Sequence, residues 1–412
     1  MSPPSSESFV IVGASLAGAK AAETLRSDGF EGRVLLIGEE PVRPYERPPL
    51  SKTYLRGESS FDDAAVHGAG FYDEHGIELR TSTTVASIDA VAAEVELASG
   101  ERVSYDGLLL ATGAAPRRLN VPGATLDGVL YLRSVADSDA IRHAATASVP
   151  VVVIGAGWIG AEVAASARQL GAEVSMVEVA SVPLERVLGP EVGAVYAELH
   201  ADNGVRLHLG VGIESIGGAE RVEEVRLTDG TVLPAGAVIV GVGVAPRTDL
   251  AAAAGLTLDN GVVTDEYLES SAPGVYAAGD VANVFYPAYG THIRLEHWSA
   301  ALNQGPAAAR NMLGLAAAYD KVPYFFSDQY DLGMEYRGHA PTFDRVVIRG
   351  DTRRREFMAF WLHHGRVRAA MNANVWDQGE TLEALVRADQ PIDPARLGNP
   401  EVDLSTLIAG PG

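Results

Sequence analysis

The chain has 412 residues, enough for two or three domains, and its 47% hydrophobic and 21% charged content suits an ordinary folded core. A net charge of −22 disfavours nucleic acid as a partner, and no apolar run reaches the length that spans a bilayer. There is no cysteine, which excludes disulfide staples, thiolate metal sites, iron–sulfur ligation by this chain and dithiol redox cycles. No metal site is expected.

Met1–Ser8 carries neither a basic region nor an apolar core, so it reads as a loose tail rather than a signal peptide, and a cytoplasmic protein is expected. The apolar run Val10–Val12 then breaks at Gly13, and helix formers follow from Ala19 to Arg26. This is buried strand, tight turn, helix. Gly13, Ser15 and Gly18 have dinucleotide-binding spacing, with serine in the middle glycine position and Leu16 and Ala17 completing the turn. The helix N-terminus offers its unpaired N–H groups and positive dipole end to a pyrophosphate. A second strand, Arg33–Gly38, ends at Glu39, about where an acid holds a ribose hydroxyl.

Arg43–Lys52 contains three prolines and reads as a loop as far as Leu50. Its cations suit an anionic cofactor, although on its own the stretch reads better as a solvated loop. Residues 61–105 alternate short strands with turns, and Tyr105–Gly113 is a second buried strand ending in Ala111-Thr112-Gly113. A helical stretch follows Tyr131-Leu132-Arg133-Ser134.

At Val151 the opening pattern returns with all three glycines, Gly155, Gly157 and Gly160, around Trp158 and Ile159. The next strand, Val174–Val177, closes on Glu178. Two complete patterns, each with its acid, are far more specific than one. A strand at Val238–Gly243 echoes 108–113. Ser270–Asp280 is a short buried strand ending in Gly279-Asp280, and Glu296–Leu315 is an alanine-rich helix. From Tyr324 the composition turns strand-like, reading as an antiparallel sheet with a terminal helix near Thr381–Ala388. The expected class is α/β, with two Rossmann-like dinucleotide-binding domains and a C-terminal α+β domain.

With Arg47-Pro-Pro-Leu-Ser-Lys52, Ala111-Thr-Gly113, Ala278-Gly-Asp280 and Ser327-Asp-Gln-Tyr330 in view, the chain resembles, from about Phe9 to Leu407, the FAD- and NADH-dependent ferredoxin reductases of bacterial cytochrome P450 and ring-hydroxylating oxygenase systems. The resemblance implies a glutathione-reductase-like architecture. A discontinuous FAD domain would span 1–114 and 246–320, an NADH domain 115–245, and a C-terminal domain 321–412. For FAD it implies Gly13, Ser15, Leu16, Ala17, Gly18, Glu39, Arg47, Lys52, Val85, Ala111, Thr112, Gly113, Arg133, Gly279, Asp280 and Trp298. For NADH it implies Gly155, Gly157, Trp158, Ile159, Gly160, Glu162, Glu178, Arg186 and Gly243.

A carboxylate at 178 favours NADH over NADPH, and Arg186 softens that preference. Lys52 and Glu162 resemble the family's lysine–glutamate pair beside flavin N5, and are the expected catalytic residues; a solvated helix acid is the plainer reading of Glu162. Trp158 suits either a shield over the flavin or core packing. Phe326 stands where many relatives have tryptophan, so a tryptophan at the electron exit is not available here.

The resemblance implies hydride transfer from NADH to FAD, followed by single-electron transfers to a small acidic [2Fe-2S] ferredoxin serving a P450 or other oxygenase. From Arg337 to Arg368 eight arginines face three acids, with Arg353, Arg354 and Arg355 in a run. This basic island, Arg337 included, is a candidate docking surface, and its alternative is pairing with acids elsewhere in the fold. A rubredoxin reductase on the same scaffold and a redox-signalling NADH-binding flavoprotein are the other functional readings.

Overall fold

The computed structural model describes residues 7–408. The expected tail falls mainly on residues 1–6, outside the described residues, and Ser8 already begins the first strand. By their contacts the described residues form two compact units, one of 7–47, 60–115 and 244–321 and one of 48–59, 116–243 and 322–408.

The first unit is built on a five-stranded parallel sheet in the order Val275–Ala277, Gly107–Leu110, Ser8–Val12, Arg33–Ile37, Ile77–Arg80. The three inner strands are nearly continuous apolar runs because both faces of a parallel sheet are covered, whereas the edge strand Ile77–Arg80 alternates apolar with charged residues. Val10, Ile11, Leu35, Leu36, Leu108 and Leu109 are all fully buried. The helix Leu16–Ser27 starts three residues earlier than its helix-forming run and packs on the helix Trp298–Met312. The expectation of strands and turns over 61–105 is only partly met. Single-turn helices occupy Phe61–Ala64 and Phe71–Glu74, the first set by a capping box between Ser60 and Asp63.

The second unit repeats the design with the parallel order Arg206–Leu209, Val174–Glu178, Val151–Ile154, Ala237–Val240, Val129–Tyr131. The proline loop does not simply run on to Leu50. It closes into a 3₁₀ turn at Pro48–Ser51 and a short helix at Thr53–Arg56. Leu55 joins the core beside Val163, Ala164 and Ala167, and the carbonyls of Leu50 and Ser51 accept from Ser138 Oγ at 2.8 Å and Ser166 Oγ at 2.6 Å. Those contacts fasten 48–59 to this unit.

The same unit carries the expected antiparallel sheet, in the order Tyr324–Gln329, Leu332–Gly338, Arg366–Ala373, Glu356–His363, Arg345–Asp351. The strand Glu356–His363 is buried on both faces, and its period of two sorts it between two cores. Phe357, Ala359 and Trp361 pack with Leu188, Val192, Tyr196 and Leu199 of the helix Glu185–Asp202. Met358, Phe360 and Leu362 pack with Leu382 and Leu385 of the terminal helix Gly379–Ala388. The helix Glu185–Asp202 bends at Gly189, whose φ of 77° precedes Pro190. Among the described residues no helix is long and apolar enough to cross a membrane.

Candidate active site

In the first unit the turn after Ser8–Val12 is as tight as its glycines require. Gly13 has φ +121°, and a Cβ there would lie 2.1 Å from the Ala111 carbonyl oxygen. A Cβ at Gly18 would lie 2.0 Å from the Gly13 carbonyl oxygen. Ser15 begins the helix without a side-chain capping bond, which leaves first-turn N–H groups, those of Leu16 and Ala17 included, for an anion. Gly13, Ser15, Glu39, Arg47, Val85, Ala111 and Thr112 line one cavity of about 330 Å³, within the range of small-ligand sites. Gly113 continues that turn with φ +69°, and Thr112 Oγ1 donates to the Arg247 carbonyl at 2.8 Å.

The acid at the second strand tip does not stand alone. Arg247 grips Glu39 with both terminal nitrogens, the Nη2–Oε2 contact being 2.9 Å, and holds its carboxyl below the usual range. Arg47 is held in turn by Glu40 at 2.8 Å and by the Tyr45 hydroxyl at 3.1 Å. Gly279 donates to Gln304 Oε1 at 2.8 Å, and Asp280 adds its negative charge to the field at Arg47. Trp298 opens the helix Trp298–Met312 of the same unit. These features fit a dinucleotide: a cradle that any Cβ would fill, an uncapped helix start, and an acid at the tip of the second strand.

In the second unit Gly155 and Gly160 are demanded by the backbone itself, with Cβ positions 2.4 Å from the Gly241 carbonyl and 1.9 Å from that of Gly155. A Cβ on Gly157 would meet nothing within 4 Å. No protein neighbour requires that residue to be small, so its smallness is free to serve a ligand lying over the turn. Glu178 Oε2 accepts from Ala156 N–H at 2.7 Å and Oε1 from Ala180 N–H at 3.0 Å, tying the strand tip to the glycine turn. Ile159, Arg186 and Gly243 are exposed, and Arg133 lies in this unit just before the helix Val135–Thr146. Trp158 is half-buried. It meets Phe325 edge-on at 5.0 Å and Tyr196 at 6.1 Å, so one edge packs into the core while the rest stays accessible.

Lys52 and Glu162 form a buried ion pair, Nζ to Oε2 2.7 Å. Oε2 also accepts from Ser51 Oγ at 2.5 Å and Oε1 from Ser327 Oγ at 2.7 Å, so the carboxylate receives three hydrogen bonds. Lys52 Nζ is 5.5 Å from the Phe326 ring centroid, giving Phe326 a cation–π contact to this ammonium. The solvated reading of Glu162 is thereby overturned, because the helix buries it and three donors surround it.

The basic island is largely neutralised. Arg337 pairs with Glu335 at 3.2 Å beneath Tyr324, and Arg355 pairs with Asp202. Arg368 pairs with Asp389 at 2.8 Å, and Arg349 donates to the carbonyls of Asn399 and Val402. Arg353 and Arg354 remain exposed at the hairpin between Arg345–Asp351 and Glu356–His363. Sequence reading did not single out Arg247 or His200, and it gave Ser51 and Gln329 no role beyond membership of the two quoted motifs.

Residues 7–305 match the family described as pyridine nucleotide-disulphide oxidoreductase, and residues 324–408 match the family described as reductase C-terminal. The chain is 37% identical to rhodocoxin reductase of Rhodococcus erythropolis over 98% of this chain and 94% of that one. It is 36% identical to putidaredoxin reductase CamA of Pseudomonas putida, over 98% and 97%. The reductase of a covalent putidaredoxin reductase–putidaredoxin complex superposes with a TM-score of 0.93 at 35% identity, covering 98% of both chains. The ferredoxin reductase for the CYP199A2 system from Rhodopseudomonas palustris gives 0.94 at 37%, covering 98% of this chain and 100% of that one. With two glycine-tight dinucleotide turns and these matches over nearly its whole length, the chain belongs to the pyridine nucleotide-disulphide oxidoreductase family.

Proposed function

We propose that this protein is an FAD-containing, NADH-dependent ferredoxin reductase that passes electrons to a [2Fe-2S] ferredoxin serving a cytochrome P450 or another oxygenase. The observation that carries this reading is the pair of dinucleotide cradles in a chain without a thiol. No dithiol is present to take up electrons, so a bound flavin and a separate carrier are the route. FAD supplies the conversion of a two-electron hydride donor into single electrons.

In this reading the first unit is the FAD domain. Its helix start faces the pyrophosphate, Glu39 takes the ribose hydroxyls under the grip of Arg247, and Arg47 and Asp280 offer paired charge nearby. In the second unit residues 116–243 hold NADH, with Gly157 leaving room over the turn and Glu178 repelling a 2′-phosphate. Lys52, fixed by Glu162, presents a positive charge that stabilises electron density on the isoalloxazine. The exposed Arg353 and Arg354 steer an acidic ferredoxin, while Arg337, Arg349, Arg355 and Arg368 are engaged within the fold. The location proposed with it is the cytoplasm, where NADH is available.

A visible spectrum of the purified protein, titrated anaerobically with NADH and separately with NADPH, tests this reading. Flavin bands bleached at lower NADH concentration are expected, and a colourless protein that FAD cannot reconstitute would sink it. Cytochrome c reduction with a ferredoxin or a rubredoxin added then separates the two carriers.

A further inference from the structure

A buried polar chain leads away from the Lys52–Glu162 pair. Glu162 Oε1 accepts from Ser327 Oγ at 2.7 Å, and Ser327 Oγ accepts from Gln329 Nε2 at 3.2 Å. Gln329 Oε1 lies 3.0 Å from His200 Nε2. An amide oxygen accepts only, so His200 donates and carries its proton on Nε2. Glu162, Ser327, Gln329 and His200 are 3%, 1%, 1% and 0% exposed.

Three elements meet here: the helices Trp158–Gln169 and Glu185–Asp202 and the strand Tyr324–Gln329. Ser327 and Gln329 are two residues apart on the strand, so they share one face, while Asp328 between them is exposed.

We infer that Ser327, Gln329 and His200 form a positioning relay that fixes the Glu162 carboxylate and, through it, the Lys52 ammonium. Every donor in the chain points toward the carboxylate. Reversing the Gln329 amide would set its oxygen against Ser327, whose proton is already given to Glu162. The charge on Glu162 therefore orders the hydroxyl, the amide and the imidazole tautomer in turn. Filling space does not require this alignment. Apolar residues of similar size would spare the desolvation of three polar side chains and would not leave His200 Nδ1 buried without a partner. The only group that gains from the alignment is the carboxylate, and the carboxylate holds Lys52.

The inference rests on the reading of Lys52 and Glu162 as the pair that meets bound FAD, and two measurements on the holoprotein separate them. In the first, the protein is labelled with ¹⁵N-histidine and the His200 Nε2–H resonance is followed. Glu162→Gln should shift this signal across the intervening side chains, and Gln329→Met should abolish the dependence. A His200 signal that ignores Glu162→Gln overturns the relay.

In the second, stopped-flow reduction by NADH should slow about fivefold at saturation in Ser327→Ala, with half-saturation unchanged. If Ser327→Ala does not yield folded yellow protein, Gln329→Met is expected to show a smaller loss of the same kind. A shifted resonance with unchanged reduction rates keeps the relay and removes the role given to Lys52 at the flavin.

Discussion

Lys52 Nζ and Glu162 Oε2 lie 2.7 Å apart across 110 residues of chain, with side chains only 11% and 4% exposed. A buried ion pair is costly to break from one side, because the remaining charge is left uncompensated. Lys52→Met should therefore destabilise the protein by roughly 3–5 kcal/mol, and Lys52→Met with Glu162→Met by clearly less. Urea unfolding of the single and double variants checks this, and strict additivity would refute the coupling.

Glu39 and Arg247 are both about half exposed, so their ion pair is worth at most about 1 kcal/mol. Arg247→Ala should weaken FAD binding by no more than about fivefold. Glu39→Ala, which removes the acid proposed to accept from the ribose, should weaken it by tenfold or more. Titration of the apoprotein with FAD, followed by flavin fluorescence, distinguishes the two. Equal losses would mean that Arg247 matters more than through Glu39.

Glu178 is anchored by the N–H groups of Ala156 and Ala180, so its carboxylate is fixed before any nucleotide arrives. Glu178→Ala should lower the ratio of kcat/KM for NADH over NADPH by about tenfold or more. An unchanged ratio would assign the preference to another group.

Arg353→Glu with Arg354→Glu should raise the KM for an acidic ferredoxin several-fold at low salt. The difference should shrink as salt rises, and NADH–ferricyanide activity should stay the same. Arg355→Glu should instead lower stability, because Arg355 is engaged with Asp202. A ferredoxin KM insensitive to the double reversal would move the docking surface elsewhere.

Burial pushes the His200 imidazole down to about 4, with the Gln329 hydrogen bond pulling weakly the other way. The unfolded chain takes up this proton near the ordinary value of 6.5, whereas the folded chain does not until about 4. Stability from this group is whole above about pH 6.5 and falls as pH drops toward 4. The full loss is on the order of 3 kcal/mol. His200→Gln should flatten that part of the stability profile, as denaturant midpoints at several pH values would show.

The sequence made both nucleotide turns legible because their signal is local. Gly13 and Gly155 each stand at the end of an apolar strand, and Glu39 and Glu178 close the next one. The antiparallel sheet was also visible, since the strand-like composition from Tyr324 onward is a property of that stretch alone. What escaped was charge that pairs across the fold. Arg247 follows Glu39 by 208 residues, and nothing near either residue announces the other. The basic island misled for the same reason: its arginines adjoin one another in sequence, but Asp202 and Asp389, which neutralise two of them, lie outside the run. His200 sits among Tyr196 and Leu199 on a helix that reads as ordinary core, and only the fold reveals Gln329 beside it.

The bent helix Glu185–Asp202 belongs to the nucleotide-binding module by sequence, yet one of its sides is upholstered with Phe357, Ala359 and Trp361. Trp361 even donates its indole proton to the Leu188 carbonyl, at 3.1 Å. Carrier specificity thus cannot be transplanted by exchanging the last ninety or so residues alone. A chimera built at that seam would strand an apolar flank in water, and a viable graft has to carry this helix along with the sheet it supports.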